Sequence, residues 1–303
     1  MTAFRDILAV TSDVKPIIVL SEGADPRVAE AAVAASVSNL ATIICVGKAS
    51  AVQSALTAAG TTGNIRIEDP KTSLRLAGYV DSYVQKRAAK GMTQEKAHAE
   101  LSQANFFSAA MVAAGDADGT IGGAVYPTPD IIRAALKVIG TAPDTKLLSS
   151  FFFMLFENRP DLPSEVNVFA DCGLVIDPTA QELADIAISS AESLRALTGI
   201  DPKIAMLSFS THGSAKHASV TKVADATALV RDLRPDLAVD GELQFDAAMV
   251  PSVGIAKAPN SPVAGQANVF IFPNLDAGNI GYKIAQRFGG GKAIGPILQG
   301  LAK

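Results

Sequence analysis

The chain has 303 residues, 49% hydrophobic and 18% charged, with 26 Lys and Arg against 30 Asp and Glu for a formal net charge of −4. That length is generous for one packed core and suits two α/β lobes. The acidic balance, with no basic cluster or aromatic stacking stripe, argues against nucleic acid as a partner.

The longest apolar run, 147–156, is interrupted by Ser149 and Ser150 and is shorter than the roughly 20 residues that span a bilayer. The opening MTAFRDILAV has no cationic stretch ahead of an apolar core, so no secretory leader is expected. The protein therefore reads as soluble and cytoplasmic, without a membrane partner. Cys45 and Cys172 make no disulfide framework and read as buried structural thiols. His98, His212 and His217 lie at no metal-ligand spacing, so no metal is expected.

In chain order the pattern is strand, Gly- or Pro-rich turn, helix. PIIVL (16–20) reads as a buried strand, followed by the loop 21–25 and a helix with Pro26 in its first turn. ATIICV (41–46) is the next strand, leading through Gly47 into an Ala-rich helix that reaches Gly60, and 65–67 is a further strand candidate. Helices are predicted over 73–89 and 93–114, separated by Gly91, with Thr93 as N-cap. Residues 118–121 lead through Gly122 and Gly123 into a helix at 129–139 that Gly140 closes. TAPDTK (141–146) is the candidate connection between lobes. Beyond it, 146–156, 167–170, 203–209 and 268–272 read as strands, and 179–197 and 219–233 as long helices. Such alternation predicts parallel sheets covered on both faces.

Ligands of open parallel sheets collect where strands end and helices begin. That points to the loops 21–25, 122–130, 171–177, 210–217 and 273–279. Neither GKAS (47–50) nor GGGK (289–292) fits a phosphate-binding loop, and no dinucleotide fingerprint or nucleophile elbow is present. STHGSAKH (210–217) gathers Ser210, Thr211 and Ser214 around Gly213; it reads either as an oxyanion cradle or as an ordinary turn. Arg133 lies one turn into the helix entered through YPTPD (126–130). It reads either as a phosphate partner helped by the helix dipole or as a surface cation beside Lys137. Arg87, in KRAAK (86–90), is by default a solvated helix end. The run 257–287 opens a helix near AGN (277–279) and sets Lys283 and Arg287 on one face. That face suits a multiply phosphorylated ligand or plain solvent.

The stretches SEGADPRVAEAA (21–32), DGTIGGAVYPTPDIIRAAL (118–136), FADCGLVIDPTAQELADIAI (169–188), IAMLSFSTHGSAKH (204–217), VDGELQFDAA (239–248) and the 257–287 run resemble phosphate acetyltransferases, or phosphotransacetylases. The similarity runs in order along essentially the whole chain; phosphate butyryltransferases are less similar and share the fold. The resemblance implies a two-lobed, three-layer parallel-sheet α/β fold akin to isocitrate and isopropylmalate dehydrogenases. One lobe would comprise 1–142 rejoined by 294–303, the other 143–293. It also implies a homodimer.

The implied reaction is reversible acetyl transfer between acetyl-CoA and phosphate, giving acetyl phosphate and CoA. The thiol would attack the acyl carbon directly in a ternary complex held in the interlobe cleft. Coenzyme A is a substrate, and no permanently bound cofactor is expected. Arg87 and Arg133 match the family's anion-handling arginines, and Lys283 and Arg287 match cleft positions. Thr128, Ser210, Thr211, Gly213, Ser214 and Asn279 complete the expected substrate contacts. Family members continue past GLAK (300–303) into a Ser-Arg pair with a nearby Asp, which serve as donor, phosphate contact and base. The catalytic groups are therefore expected beyond Lys303, and a chain of this length is expected to fold and to turn over slowly or not at all. Alternatives are a non-catalytic acyl-CoA-sensing module of the same fold and a phosphate butyryltransferase.

Overall fold

The computed structural model describes residues 15–60, 64–143, 145–157 and 159–303. They fall into two units: residues up to 143 with 301–303, and residues 145–300.

In the first unit the apolar run before Ser21 forms β1 (Ile17–Leu20). Asp25 then starts α1 (Pro26–Val37) by accepting the Arg27 N–H at 2.9 Å, while Pro26 takes a first-turn position that needs no N–H. β2 (Thr42–Val46), α2 (Ala49–Ala58), β3 (Arg66–Glu68) and, later, β4 (Gly119–Ile121) complete a parallel sheet of order β3-β2-β1-β4. Leu20, Ile43, Cys45, Val52 and Leu56 form its core with the Ala29 and Ala32 face of α1.

Between β3 and β4 lie α3 (Leu76–Arg87), a short 3-10 turn at Ala88–Lys90, α4 (Gln94–Leu101) and α5 (Ala104–Ala114). The stretch expected as one helix over 93–114 is thus two. Thr93 caps α4 by accepting the Lys96 N–H at 3.3 Å. α4 buries Ala97 and Leu101, whereas α5 buries every residue from 105 to 112. The break falls at Ser102, the C-cap of α4, and Gln103, the N-cap of α5. After β4, α6 (Thr128–Ala134) runs into a π-helical turn, Ala135–Ile139, that ends on Gly140 at φ 79°.

The second unit contains β5 (Ser149–Leu155), β6 (Val166–Ala170), α7 (Ala180–Thr198), β7 (Lys203–Leu207), α8 (Ala218–Leu233) and β8 (Ala238–Leu243). The short helices α9 (Phe245–Met249) and α10 (Pro251–Lys257) follow, then β9 (Val269–Ile271), α11 (Leu275–Arg287) and β10 (Lys292–Gln299). The sheet order is β10-β5-β6-β9-β7-β8. β5 shows why the sheet has helices on both sides. Phe151, Phe153 and Leu155 join one core with Leu183, Ile186, Val223 and Val230 of α7 and α8. The alternate residues Phe152, Met154 and Phe156 join a second core with Phe169, Phe270, Phe272 and Tyr282. A strand buried on both faces needs an unbroken apolar run, and SSFFFML supplies it after its two serines.

Three expectations are corrected here. The second sheet is mixed rather than parallel, because β5 runs antiparallel to both β6 and β10. Residues 294–299 extend this sheet instead of rejoining the first unit. Gln299 fixes them there: its side-chain amide N–H groups donate to the hydroxyls of Ser149 and Ser190 at 2.9 and 3.0 Å, and its carbonyl oxygen accepts from Ser193 at 3.1 Å. In the first unit Leu301 pairs with Thr141, and the Ala302 N–H reaches the Gly140 carbonyl at 2.9 Å. Pro296 makes KAIGPILQ look unlike a strand, yet it sits in an edge strand where the register shifts between Ile294 and Ile297, a place that tolerates proline. Finally, β8 was not expected as a strand, because Asp240, Gly241 and Glu242 interrupt its apolar pattern.

α11 meets the end of β6 at close quarters. A Cβ on Gly278 would lie 2.3 Å from the Asp171 carbonyl oxygen, a backbone atom that cannot step aside. Gly278→Ala should therefore lower unfolding stability by about 1–3 kcal/mol, measurable as a shift in the urea midpoint.

Candidate functional site

The loops at the strand ends are shaped by buried carboxylates. Glu22, just past β1, accepts the N–H groups of Gly123 and Ala124 on Oε2, both at 2.9 Å, and those of Val125 and Tyr126 on Oε1 at 2.9 and 2.7 Å. Asp171, just past β6, accepts the Ser150 N–H on Oδ2 at 2.8 Å. Its Oδ1 takes the Ser150 hydroxyl, the Gly173 N–H and the Leu174 N–H at 2.7, 2.7 and 2.9 Å. Glu242 in β8 accepts the Ser210 hydroxyl at 2.8 Å and the Gly213 N–H at 2.7 Å on Oε1. All three side chains are buried. Clustered backbone N–H groups attract anions, and here the anion is a carboxylate of the chain itself.

This changes the picture of 210–217. The Thr211 N–H goes to Ser214 Oγ at 3.1 Å, the His212 N–H to the Glu242 carbonyl at 3.1 Å and the Ala215 N–H to Ser210 Oγ at 3.0 Å. Thr211 Oγ1 accepts the Gln244 N–H at 3.0 Å. Ser210, Thr211, Gly213 and Ser214 are brought together as expected, but these donors serve Glu242 and one another. Ser210 and Thr211 are buried, whereas Gly213 and Ser214 reach the surface. At the tip, His212 adopts φ 47° with its Nε2 at 3.1 Å from Oδ2 of the buried Asp240, whose Oδ1 accepts Arg231 Nη2 at 2.6 Å.

In the first unit, Thr128 is the exposed first residue of α6, and exposed Arg133 donates to Asp130 at 2.5 Å one turn back. Arg87 ends α3 half-buried, and its Nε is buried with no hydrogen-bond partner. Beside it stands Glu100, which accepts the Tyr83 hydroxyl and Lys137 Nζ, each at 2.5 Å. Burial opposes ionisation of Glu100, yet the Lys137 and Tyr83 hydrogen bonds and the Lys137 and Arg87 charges together hold its carboxyl below the usual value. Burial, then Glu100, pushes the Tyr83 phenol up. Lys86 donates to the carbonyls of Val138 and Ile139 at 2.8 and 2.5 Å, and burial followed by the nearby Arg87 charge lowers its ammonium pKa.

On α11, Asn279 bridges inward and outward: its amide donates to the Cys172 carbonyl at 3.0 Å, and its Oδ1 accepts Lys283 Nζ at 2.8 Å. Arg287, one turn on, is exposed. Sequence reasoning had not singled out Glu22, Asp171, Glu242 or Glu100. The available signal was an acidic residue directly after or within an apolar strand, as in VLSEG, VFADCG and VDGEL. Among the described residues no group of three or more His, Cys, Asp or Glu is placed to hold a metal ion, and no helix is long and apolar enough to cross a membrane.

Residues 3–303 match the family model described as "Phosphate acetyl/butaryl transferase". The chain is 49% identical over 287 residues to the phosphate acetyltransferase of Paracoccus denitrificans, covering 94% of this chain and 86% of that protein. Among solved structures it is similar to a phosphotransacetylase from Streptococcus pyogenes, with a TM-score of 0.90 at 45% identity, covering 99% of this chain and 90% of that one. The EutD phosphotransacetylase from Staphylococcus aureus aligns with a TM-score of 0.87 at 43% identity and the same coverage.

Replacing Glu242 by Gln leaves the Ser210 hydroxyl and the Gly213 N–H an oxygen acceptor but removes the charge that strengthens both hydrogen bonds. Glu242→Gln should therefore cost about 1–3 kcal/mol of unfolding free energy, read by urea titration. The depressed Glu100 carboxyl adds stability that is present above its unfolded value, near 4.5, and lost as pH falls through the lower folded value. Thermal melts taken from neutral to acid pH should show that loss in the parent chain and a shallower acid limb in Glu100→Gln.

Proposed function

The chain belongs to the phosphate acetyl/butaryl transferase family, and on that premise we propose that it moves an acetyl group reversibly between coenzyme A and inorganic phosphate. The observation that carries this reading is the match along nearly the entire chain, at 43–49% identity to proteins of that activity. Coenzyme A takes part as a substrate.

In the direction of acetyl phosphate, a phosphate oxygen attacks the thioester carbon, the C–O bond forms, and the C–S bond breaks with its electron pair leaving on sulfur. In reverse the thiol, ordinarily with a pKa of about 8.5, must lose its proton before attacking acetyl phosphate. Both directions pass through a tetrahedral oxyanion and need cations for a phosphate carrying roughly two negative charges. Holding both substrates in one ternary complex supplies proximity.

We assign phosphate contacts to Arg87 and Arg133. The unpartnered, buried Nε of Arg87 supports this, since a guanidinium donor without an acceptor suits an incoming oxyanion. Thr128 stands at the start of the helix that carries Arg133, and Lys283 and Arg287 present a cationic edge on α11. Ser210, Thr211, Gly213 and Ser214 act by fixing their loop. Cys45 and Cys172 are buried free thiols, the state expected in the reducing cytoplasm where we place the enzyme.

We further propose a homodimer. Ile280 and Ile284 of α11 and Phe288, which caps its C-terminal end, follow one another at helical spacing and are 57, 54 and 91% exposed, an apolar stripe suited to a second copy.

Coenzyme A should bind the protein in isothermal titration. Arg87→Gln and Arg133→Gln should each weaken that binding roughly tenfold, with parallel losses in acetyl-CoA formation from acetyl phosphate. No association with coenzyme A or acetyl phosphate, and no response to either substitution, would overturn the assignment. Ile284→Asp should halve the mass measured by light scattering; an unchanged mass would remove this stripe from the interface.

A further inference from the structure

Where the C-terminal turn of α3 meets α4, α5 and the π-helical turn, cations outnumber carboxylates. Lys137 projects from the π-helical turn so that its Nζ reaches Glu100 Oε1 at 2.5 Å and lies 5.8 Å from the centre of the Phe106 ring. Both partners stay partly open, with side chains 30% and 24% exposed. Arg87 acts on the same carboxylate by its charge while its own Nε has no acceptor. Lys86 is engaged elsewhere: its two bonds to the carbonyls of Val138 and Ile139 hold the turn that carries Lys137. Around Glu100, then, Lys137 and Arg87 face one carboxylate, which also carries the Tyr83 hydroxyl.

We propose that Lys137 is a further phosphate-binding cation beside Arg87, and that Glu100 is its internal counterion, occupying Lys137 until a ligand phosphate displaces it. The inference rests on the reading that Arg87 binds phosphate. Its physical basis is a difference in charge. A phosphate group with roughly two negative charges competes well against a single carboxylate. The ammonium on its flexible four-carbon stem can change partner without moving the backbone. Glu100 is not left bare by the exchange, because the Tyr83 hydrogen bond and the Arg87 charge remain with it. The ligand class is a phosphate monoester or diester, or inorganic phosphate, and coenzyme A and phosphate are therefore separate arms of the test.

The experiment is titration calorimetry of the full chain with coenzyme A and, separately, with inorganic phosphate, at two salt concentrations. Lys137→Met should weaken at least one arm roughly tenfold and reduce its salt dependence, whereas Lys137→Arg should retain most of the affinity. Glu100→Gln should move the other way and tighten the same arm, because the competing counterion is gone. A purely structural ion pair predicts lower melting temperatures for both variants with both affinities unchanged, and that result overturns the proposal. Glu100→Gln weakening the ligand as Lys137→Met does would also overturn it, since Glu100 would then be an aid rather than a competitor. Arg87→Gln is the control that separates the two layers. If it weakens binding while Lys137→Met does not, this inference alone fails. If neither has any effect, the parent reading falls and takes this one with it.

Discussion

A carboxylate removed from water must collect hydrogen-bond donors, because its charge cannot otherwise remain in a protein interior. Glu22 and Glu242 meet that demand with backbone N–H groups from loops distant in sequence, Glu22 reaching 101 to 104 residues ahead and Glu242 reaching back 29 to Gly213, while Asp171 ties its own loop to Ser150 of β5. The demand works in both directions. The carboxylates need the loops, and the loops have N–H groups that no strand or helix satisfies. Each pairing therefore fixes the path of a loop at a strand end, and for Glu22 and Glu242 the carboxylate comes from outside that loop.

That constraint separates the parts of the molecule that were legible in the sequence from those that were not. β5 and β6 were readable because a strand buried on both faces must be apolar throughout. α7 was readable as a long helix over 179–197, and the structure adds a capping box of Thr179 and Glu182 at its start. β8 was hidden by the very residues that matter in it, since Asp240 and Glu242 are polar for reasons that lie in other segments. β10 was hidden by Pro296, and the break between α4 and α5 by helix formers on both sides of it. For the candidate site, residue types and spacing singled out the loops at the strand ends but could not say where their donors point. An oxyanion cradle and a carboxylate-filled turn have the same sequence signature at 210–217, and only the register of β8 beside β7 distinguishes them. The arginines at 87 and 133 were singled out by family resemblance alone, because in sequence a ligand-binding guanidinium and a solvated one look alike.

The cationic corner of the first unit follows a different logic. Ion pairs such as Arg159 with Asp161 or Lys257 with Asp246 are open to solvent and contribute little to stability. Around Glu100 the charges are partly buried and unequal in number, so the pairings compete. A half-buried arginine with an unused donor is costly to maintain for stability alone, which is the physical argument for linking it to a ligand. Preorganisation of this kind is more effective when the supporting backbone is rigid. The Lys86 bonds to the carbonyls at the end of the π-helical turn provide that rigidity.

In α11, Gly278 lies against the Asp171 carbonyl, Gly281 faces the Phe272 ring, and Tyr282 stacks on Phe152 with ring centres 4.2 Å apart. Slipping the helix by one turn in either direction would bring Asn274 or Tyr282 to the place where only a hydrogen fits. The helix therefore has a single axial setting, like a key with one depth of cut. Through Asn279 that setting also determines how far the Lys283 ammonium stands from the end of β6.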